Sequence, residues 1–275
     1  MKNMKEKTKM KYKLLAIDID DTLVPRHCPV SERNVKAIKK AEEAGIYVSL
    51  ATGRGFYGSS HVWKPLGLSN YVINYGGAVI MDPKTDRPVF ETELDDKYIH
   101  DILDMAKEFG VHAHIYQGDC VIYERTDKYA EAYVKALNLP HKIDPQIHEK
   151  HWKNVPKALI ITEPERVEGL INAFQAHFKG EVYVSASSKG FIEFNKVGAN
   201  KGTALKWLAD HFGIKQEETA AIGDNTLDYE MIAWAGLGAV VANGNEKVKA
   251  AADIMVPECK DDGVAWFIEN CLLNK

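Results

Sequence analysis

The sequence predicts an α/β fold in which a parallel sheet is interrupted by an inserted α+β segment. Short apolar runs alternate with helical segments over about the first 80 residues, and they do so again after about residue 190. Between these parts, over residues 85–189, the order changes to two αββ-like units side by side. Alternating strands and helices are typical of a parallel sheet with right-handed crossovers, so we expect the two outer parts to share one sheet.

The first part has a predicted strand–helix–strand–strand order. Residues 12–18 form a short apolar strand, and residues 46–53 form a second strand that ends near a glycine. Between them, Ser31 suits a helix N-cap, apolar residues then recur at helical spacing, and Gly45 suits a helix stop. Residues 70–82 contain a third strand and a Gly-Gly turn that allows a hairpin.

The inserted segment begins in a stretch rich in turn residues, 82–94, which is typical of a hairpin or a linker. Its predicted elements are a helix at 95–110, two strands within 111–124, a helix at 128–139, a strand at 156–164, a helix at 165–178 and a strand pair within 180–196. We therefore predict a core domain at 12–84 and 190–275, a second domain at 85–189, and a basic lead-in at 1–11. Residues 82–90 and 188–198 are the expected hinges.

The last part returns to alternating helices and strands. The predicted elements are a helix at 200–213, a strand at 219–225, a helix at 226–236, a strand at 237–244, a helix at 245–253, a last strand at 254–257 and a closing helix at 263–273. This order continues the parallel sheet begun in the first part.

Composition and charge narrow the class of protein. The net charge is −4, which favours neither nucleic acid nor an anionic membrane as the main partner. The Lys-rich N-terminus lacks the apolar segment of a signal peptide, and no run reaches the ~18 apolar residues of a membrane span, so we expect a cytoplasmic protein. Free thiols are expected at the four cysteines, which are Cys28, Cys120, Cys259 and Cys271.

Acidic residues follow two of the predicted strands. Asp18 and Asp20, two residues apart, point the same way as the chain leaves the first strand. Asp224 ends a later strand, and Asp228 follows one helical turn on. In open α/β sheets the ligand crevice lies beyond the carboxyl ends of the strands, so we expect these acids to converge there. Converging carboxylates repel one another unless a hard cation lies between them, and Mg²⁺ suits such oxygen ligands best.

Two further features predict an anion site at the same edge. In the stretch ATGR, the hydroxyl of Thr52 and the amide of Gly53 can donate to phosphate oxygens. Lys201 lies in the first turn of a helix, where a cation is poorly placed for the helix dipole but suits a phosphate. The alternatives are that Thr52 only caps a helix, that Lys201 is a surface lysine, and that Asp228 is an acid favoured by the helix dipole.

Four stretches in order, DIDDTL, ATGR, NKGTALKWL and GDNTLDYEMI, resemble the four motifs of the haloacid dehalogenase-like (HAD) hydrolases. The large insertion and the tail after NGNEKVKAAAD resemble the Cof-type subfamily with its C2B cap. The similarity covers nearly the whole chain from Tyr12 onward. It implies a Rossmann-like core with a parallel sheet and an inserted α+β C2B cap.

The resemblance also implies roles for particular residues. Asp18 would be the nucleophile that forms an aspartyl-phosphate, and Asp20 the general acid and then the base. The implied metal ligands for Mg²⁺ are Asp18, the backbone carbonyl of Asp20, and Asp224. The implied phosphate-binding groups are the amide of Ile19, Thr52, Gly53 and Lys201. The implied supporting residues are Arg54, Asn225 and Asp228, the last of which would hold metal-bound water or orient Lys201.

Three positions depart from the family pattern. Asp21 stands where Gly is common, although Asp tolerates a left-handed turn. Leu227 stands where the family usually carries an Asn that contacts phosphate, so either phosphate binding is weakened or Asn225 or Thr226 takes over that role. Gly76 stands in NYGGA where NGA is usual, which leaves Asn74 as a candidate replacement for a substrate-facing amide.

The histidines and aromatics of the insertion predict no further site. His112 and His114 alternate on a strand and His148 and His151 lie three apart, but no third zinc ligand at suitable spacing accompanies either pair. Aromatic residues of the insertion face either the core or the substrate, with core packing favoured for most of them. These aromatics are Tyr116, Tyr123, Trp152 and Phe191.

The sequence thus predicts a Mg²⁺-dependent phosphatase of a small phosphorylated metabolite, with a sugar phosphate as the default substrate. Two alternatives stay open: a phosphotransferase or phosphomutase with the same covalent chemistry, and a non-catalytic phospho-ligand sensor. Because a binding protein needs no nucleophile–acid pair, Asp18 and Asp20 argue against the sensor. The sequence specifies neither the substrate nor an oligomeric state.

Overall fold

The structure, a computed structural model, describes residues 10–26 and 28–274. Apart from Met10 and Lys11, the predicted basic lead-in at 1–11 lies outside the described residues. The described residues form two sheets of eight and six strands, each with helices packed against it. The predicted α/β class is confirmed.

The first sheet combines strands from both ends of the chain. Its strands are β1 (Leu14–Asp18), β2 (Tyr47–Ala51), β3 (Val72–Asn74), β4 (Val79–Asp82), β5 (Arg87–Glu91), β12 (Thr219–Gly223), β13 (Leu237–Val241) and β14 (Ile254–Val256). Their order is β14-β13-β12-β1-β2-β3-β4-β5, and the strands from β14 to β3 are parallel. Strands β4 and β5 are antiparallel, which makes the turn-rich stretch after residue 82 a hairpin rather than a linker.

Helices cover both faces of the first sheet. They are α1 (Glu32–Glu43), α2 (Phe56–Leu66), α6 (Lys201–Phe212), α7 (Tyr229–Trp234), α8 (Glu246–Lys249) and α9 (Gly263–Phe267), the last continued by a π-helical turn at Ile268–Leu272. Ser31 caps α1 through its side chain, as its position predicts. Helix α2 follows Thr52, where one alternative for that residue assumed a helix without giving its bounds. Apolar clusters fill both faces, one against α1 and α9 and the other against α6 and α7.

The second sheet lies in the inserted segment. Its strands are β6 (His112–Gln117), β7 (Cys120–Tyr123), β8 (His141–Ile143), β9 (Ala158–Ile161), β10 (Val182–Ser188) and β11 (Phe191–Lys196), in the order β10-β11-β9-β6-β7-β8. The helices of this segment are α3 (Asp96–Phe109), α4 (Lys128–Leu137) and α5 (Val167–Phe178). An apolar cluster that contains Tyr75 and Tyr116 joins the two sheets.

Sheet membership differs from the predicted boundaries. Strand β5 belongs to the first sheet and β11 to the second, so the change of sheet falls after Glu91 and after Lys196 rather than at residues 84 and 190. The expected hinges at 82–90 and 188–198 contain strand residues as well as turns, and residues 92–95 and 197–200 form the irregular crossings between the sheets. The turn residues after 82 connect β4 to β5, so the first sheet continues beyond them.

Within the part of the chain that the structure describes, no helix is both long and apolar enough to cross a membrane. All four cysteines have free thiols, and Cys259 is buried.

Candidate active site

Three strand ends bring the predicted residues to one edge of the first sheet. Asp18 is the last residue of β1 and pairs in register with Ala51, the last residue of β2. Thr52 follows β2 directly, and Asp224 follows β12, the neighbour of β1 on its other side. Since these strands are parallel, their carboxyl ends meet where the chain switches direction across the sheet, the usual ligand crevice of such folds.

A buried lysine lies between two buried carboxylates at this edge. Lys201 Nζ is 2.6 Å from an oxygen of Asp18 and 2.6 Å from an oxygen of Asp228. Lys201 is 1% exposed and Asp228 is fully buried, so the idea of a surface lysine is wrong. Burial lowers the pKa of Lys201, but the charges of Asp18 and Asp228 outweigh it and raise that pKa above its usual value.

Three carboxylates lie close together at this edge, next to the single ammonium of Lys201. Asp18, Asp224 and Asp228 each place an oxygen within 4.8 Å of the others. Burial, reinforced by the charge of Asp228, raises the pKa of Asp18 well above its usual range, and the same two causes raise that of Asp224 to about 6. One oxygen of Asp18 is buried and has no hydrogen-bond partner. Unneutralised carboxylate oxygens of this kind fit a hard divalent cation.

Asp224 should make the stability of the metal-free protein depend on pH. Its pKa is raised from 3.8 to about 6, so the folded chain holds the proton more tightly than the unfolded chain. This contribution is fully present below about pH 4 and is lost as the pH rises through about 6. We expect urea unfolding in EDTA to show a smaller loss of stability from pH 4.5 to 7.5 for Asp224→Asn than for wild type.

Asp210→Asn is a matched control for this experiment because Asp210 is an exposed acid, with its side chain 66% accessible. It should keep the wild-type pH dependence. Equal pH slopes for Asp224→Asn and wild type would show that Asp224 titrates normally in the folded chain.

The carboxylate of Asp20 pairs with the guanidinium of Arg54. Arg54 donates from Nε to one carboxylate oxygen at 2.8 Å and from Nη2 to the other at 2.6 Å. A bidentate pair of this kind fixes the plane of the carboxylate. Arg54 therefore lies against the predicted acid, at the opening of the site, and Asp18 and Asp20 face the same cavity.

The predicted phosphate-binding loop is tied to the sheet by its own hydrogen bonds. Thr52 is buried, and its hydroxyl accepts from the amide of Arg54 at 3.1 Å. Helix α2 starts later, with Gly55 as its N-cap, so the alternative that Thr52 caps a helix is wrong. Ile19 is also buried, and its carbonyl accepts from two amides, those of Leu23 and Val24, which fixes the turn after β1.

Asp228 serves as both a cap and an ion-pair partner. One of its oxygens accepts from the amides of Asp224 and Asn225 at 3.0 and 3.1 Å, while the other binds Lys201. Asn225 donates to Asp224 at 3.2 Å and accepts from the amide of Leu227, so its side chain is engaged within the loop. The alternative that Asp228 is only an acid favoured by the helix dipole explains its contacts with the two amides but not its ion pair with Lys201.

The departures from the family pattern have local explanations. Asp21 has a φ of 62°, in the left-handed region that its position requires. The amide of Gly76 donates to the carbonyl of Thr52 and is therefore engaged within the protein. Asn74 is fully buried and donates to the carbonyl of Arg54 at 3.2 Å, so it supports the loop rather than replacing a substrate-facing amide. Leu227 lines the cavity.

A cavity of about 190 Å³ opens between the two sheets above these residues. The second sheet and its helices contribute side chains that sequence reasoning did not single out, together with Phe191, which it did. These are Tyr133, Leu137, Lys157 and Glu193. A charged residue beside an apolar strand run, as in KALII or FIEF, was the available signal for Lys157 and Glu193. The other aromatics considered, Tyr116, Tyr123 and Trp152, are buried in packing, as the sequence favoured.

The structure shows the surroundings of the histidines considered from the sequence. His151 meets Asp96 and His100 in a group that could hold a metal ion, although the sequence showed no third ligand. Its signal was the one-turn spacing of Asp96 and His100 on α3. His151 is 92% exposed and contacts Asp96 at 2.7 Å, which an ordinary surface ion pair explains. His112 and His114 contact each other at 2.9 Å inside the second domain.

The chain is similar to known proteins over nearly its whole length. A family model described as haloacid dehalogenase-like hydrolase matches residues 15–268. The phosphatase YwpJ of Bacillus subtilis is 28% identical, and the match covers 94% of this chain and 100% of that protein. The 5-amino-6-(5-phospho-D-ribitylamino)uracil phosphatase YitU of the same organism is 27% identical, with 93% and 96% covered.

Solved structures show the same similarity. A haloacid dehalogenase-like hydrolase from Bacteroides thetaiotaomicron is 27% identical and superimposes with a TM-score of 0.83, covering 94% of this chain and 98% of that one. A second such hydrolase, from B. subtilis, gives a TM-score of 0.84 at 26% identity, covering 94% and 100%. Both sheets therefore have counterparts in these structures.

Proposed function

The chain belongs to the haloacid dehalogenase-like hydrolases and is a phosphoric monoester hydrolase, and from this premise we propose a Mg²⁺-dependent phosphatase of a small phosphorylated metabolite. A sugar phosphate is the default substrate. The observation that carries the proposal is the unpartnered, buried oxygen of Asp18 beside Lys201. A carboxylate oxygen left free next to a buried cation is placed to attack an anionic phosphoryl group.

In the proposed first step, Asp18 forms an O–P bond and the bond from phosphorus to the leaving oxygen breaks. Asp20 gives its proton to that oxygen, so an alcohol departs and an aspartyl-phosphate remains. In the second step, Asp20 takes a proton from water, whose oxygen attacks phosphorus and releases phosphate and the Asp18 carboxylate. In-line transfers of this kind depend chiefly on positioning and charge neutralisation.

The chain's own residues hold the reacting groups in this scheme. Lys201 fixes the Asp18 carboxylate and neutralises phosphoryl charge, while Thr52, Gly53 and the amide of Ile19 bind the phosphoryl oxygens. Arg54 orients Asp20 through both carboxylate oxygens. Asp18, the carbonyl of Asp20 and Asp224 would hold Mg²⁺, and Asp228 and Asn225 would orient this loop. When bound, the ion supplies charge neutralisation at the phosphate.

We assign substrate choice to the second domain, which we propose is a C2B cap. The sequence placed this cap at residues 85–189, and the crossings between the sheets at 92–95 and 197–200 mark its edges in the structure. The cavity between the sheets is lined from both sides, which supports this assignment. The name of YitU refers to a phosphorylated ribityl compound, a small polyol phosphate. A cytoplasmic location stays a prediction of the proposal.

Phosphate release from purified monoesters tests the proposal. We expect turnover on at least one sugar or polyol phosphate with Mg²⁺, and loss of that turnover in EDTA with recovery when Mg²⁺ is restored. The physical reason is that the acidic cluster lacks enough cations of its own. Release that requires an added sugar acceptor would indicate a phosphotransferase or phosphomutase. Phosphate binding without turnover on any monoester would indicate a sensor.

A further inference from the structure

A buried ion pair of the second domain faces the proposed catalytic residues. Lys157 Nζ lies 2.9 Å from an oxygen of Glu193, and the two side chains are 3% and 5% exposed. Lys157 also donates to the carbonyl of Gly53 at 3.0 Å, across the gap between the sheets. Both charged residues line the cavity that contains Asp18 and Asp20.

The pair has hydrogen-bonding capacity that the protein does not use. An ammonium has three protons, and Lys157 directs two of them to Glu193 and Gly53, while its Nζ also lies 5.5 Å from the centroid of the Tyr116 ring. The second oxygen of Glu193 is buried and has no partner. Unsatisfied polar atoms at such depth are uncommon, and a buried ion pair adds little stability over apolar side chains of similar size. A role toward a ligand in the cavity explains both features.

The surroundings of the pair narrow the ligand's chemistry. Phe191 and Glu193 lie two apart on β11 and so share a face of the strand. The ring of Phe191 packs against that of Tyr133 with centroids 5.6 Å apart, and both rings line the cavity. The site therefore offers one acceptor, one donor and an apolar wall. Neighbouring hydroxyls on a carbon skeleton match this set, since one can donate to Glu193 while the other accepts from Lys157.

We propose that Lys157 and Glu193 form a leaving-group subsite that recognises adjacent hydroxyls of a polyol or sugar phosphate; this inference rests on the proposed phosphatase function. The subsite predicts that a phosphate ester without hydroxyls gains nothing from the pair.

The test compares two kinds of substrate on wild type and Glu193→Gln. The first is the fastest member of a panel of aldose and alditol monophosphates, and the second is phenyl phosphate, which has no hydroxyl on its leaving group. We expect Glu193→Gln to lower kcat/KM for the polyol phosphate by about 10- to 100-fold, as for a lost charged hydrogen bond. The value for phenyl phosphate should fall by less than about threefold.

Two further variants serve as controls for the comparison of the two substrates. Glu124→Gln, which neutralises a carboxylate elsewhere in the second domain, should change neither value. The double variant Lys157→Met/Glu193→Leu replaces the pair by apolar side chains, so it should fold. Its kcat/KM should fall by a larger factor for the polyol phosphate than for phenyl phosphate, which is affected only through the lost contact between Lys157 and Gly53.

Equal losses on both substrates would overturn the subsite, since the pair would then only support the Gly53 loop. Unchanged kinetics in Glu193→Gln would overturn it as well. A wild-type chain that releases phosphate from no monoester would instead overturn the proposed function, and with it this inference, before any variant is compared.

Discussion

Asp18→Asn is expected to abolish turnover while leaving the chain folded. The amide has the shape of the carboxylate but cannot form the O–P bond, and loss of a catalytic nucleophile lowers kcat by on the order of 10⁴–10⁶-fold. Phosphate release with Mg²⁺ measures this directly. Rapid quenching and detection of a phosphorylated chain should show an intermediate in wild type and none in the variant.

The fold should tolerate this change because Asp18 lies in a site with excess negative charge. Burial and the charge of Asp228 already disfavour its ionised form. The variant loses the ion pair with Lys201, although the amide oxygen of Asn can still accept from that ammonium, and it also removes this repulsion. Lys201 keeps Asp228 as a partner at 2.6 Å. We expect thermal unfolding in EDTA close to that of wild type. Hydrolysis at the wild-type rate would rule out the covalent mechanism.

Asp20→Asn is the matched control, since it neutralises the neighbouring acid. Its rate should fall by the ~10²–10⁴-fold typical of a lost general acid, because the chemistry of Asp18 is retained. Mg²⁺ affinity should stay nearly unchanged, because only the backbone carbonyl of Asp20 is assigned to the ion. A leaving group of low pKa, such as p-nitrophenol, should lose less rate than an alkyl alcohol.

The sequence was sufficient to predict which residues meet at the carboxyl edge of the first sheet. Asp18, Thr52 and Asp224 each end or directly follow an apolar run, and parallel strands bring such ends together whatever lies between them in the chain. Lys201 was identifiable because a cation in the first turn of a helix conflicts with the helix dipole. These inferences use local chemistry and one topological rule, so they need no knowledge of the packing between the domains.

The remaining features depend on packing that no local pattern encodes. Arg54 was assigned a general supporting role, but its pairing with Asp20 arises only when the loop after β2 folds against the turn after β1. Lys157 is 104 residues away from Gly53, and their contact requires the two sheets to be docked. Residues 82–94 were predicted as a hairpin or a linker, and only the pairing of β5 with β4 shows that this stretch continues the first sheet.

Lys201→Met should destabilise the metal-free chain by about 3–5 kcal/mol at pH 8, the usual cost of breaking a buried ion pair from one side. Methionine fills the space but leaves Asp18 and Asp228 buried without their cation. Urea unfolding in EDTA measures the change. Lys206→Met is the matched control on the same helix, since Lys206 is 57% exposed in its pair with Asp210 and should lose less than about 1 kcal/mol.

The loss in Lys201→Met should shrink under conditions that remove negative charge from the site. Acidification should reduce it, because burial already raises the pKa of Asp18 and Asp224, so protons bind them readily. Adding Asp228→Asn to Lys201→Met should recover part of the lost stability, because it removes one of the two carboxylates left without a cation. Mg²⁺ should stabilise Lys201→Met more than wild type, because the ion then supplies the positive charge that Lys201 no longer provides. Equal stability of Lys201→Met and wild type at pH 8 in EDTA would mean that these carboxylates are neutral in the folded chain. In that case a cation would have no excess charge to bind, and the metal site would need other ligands.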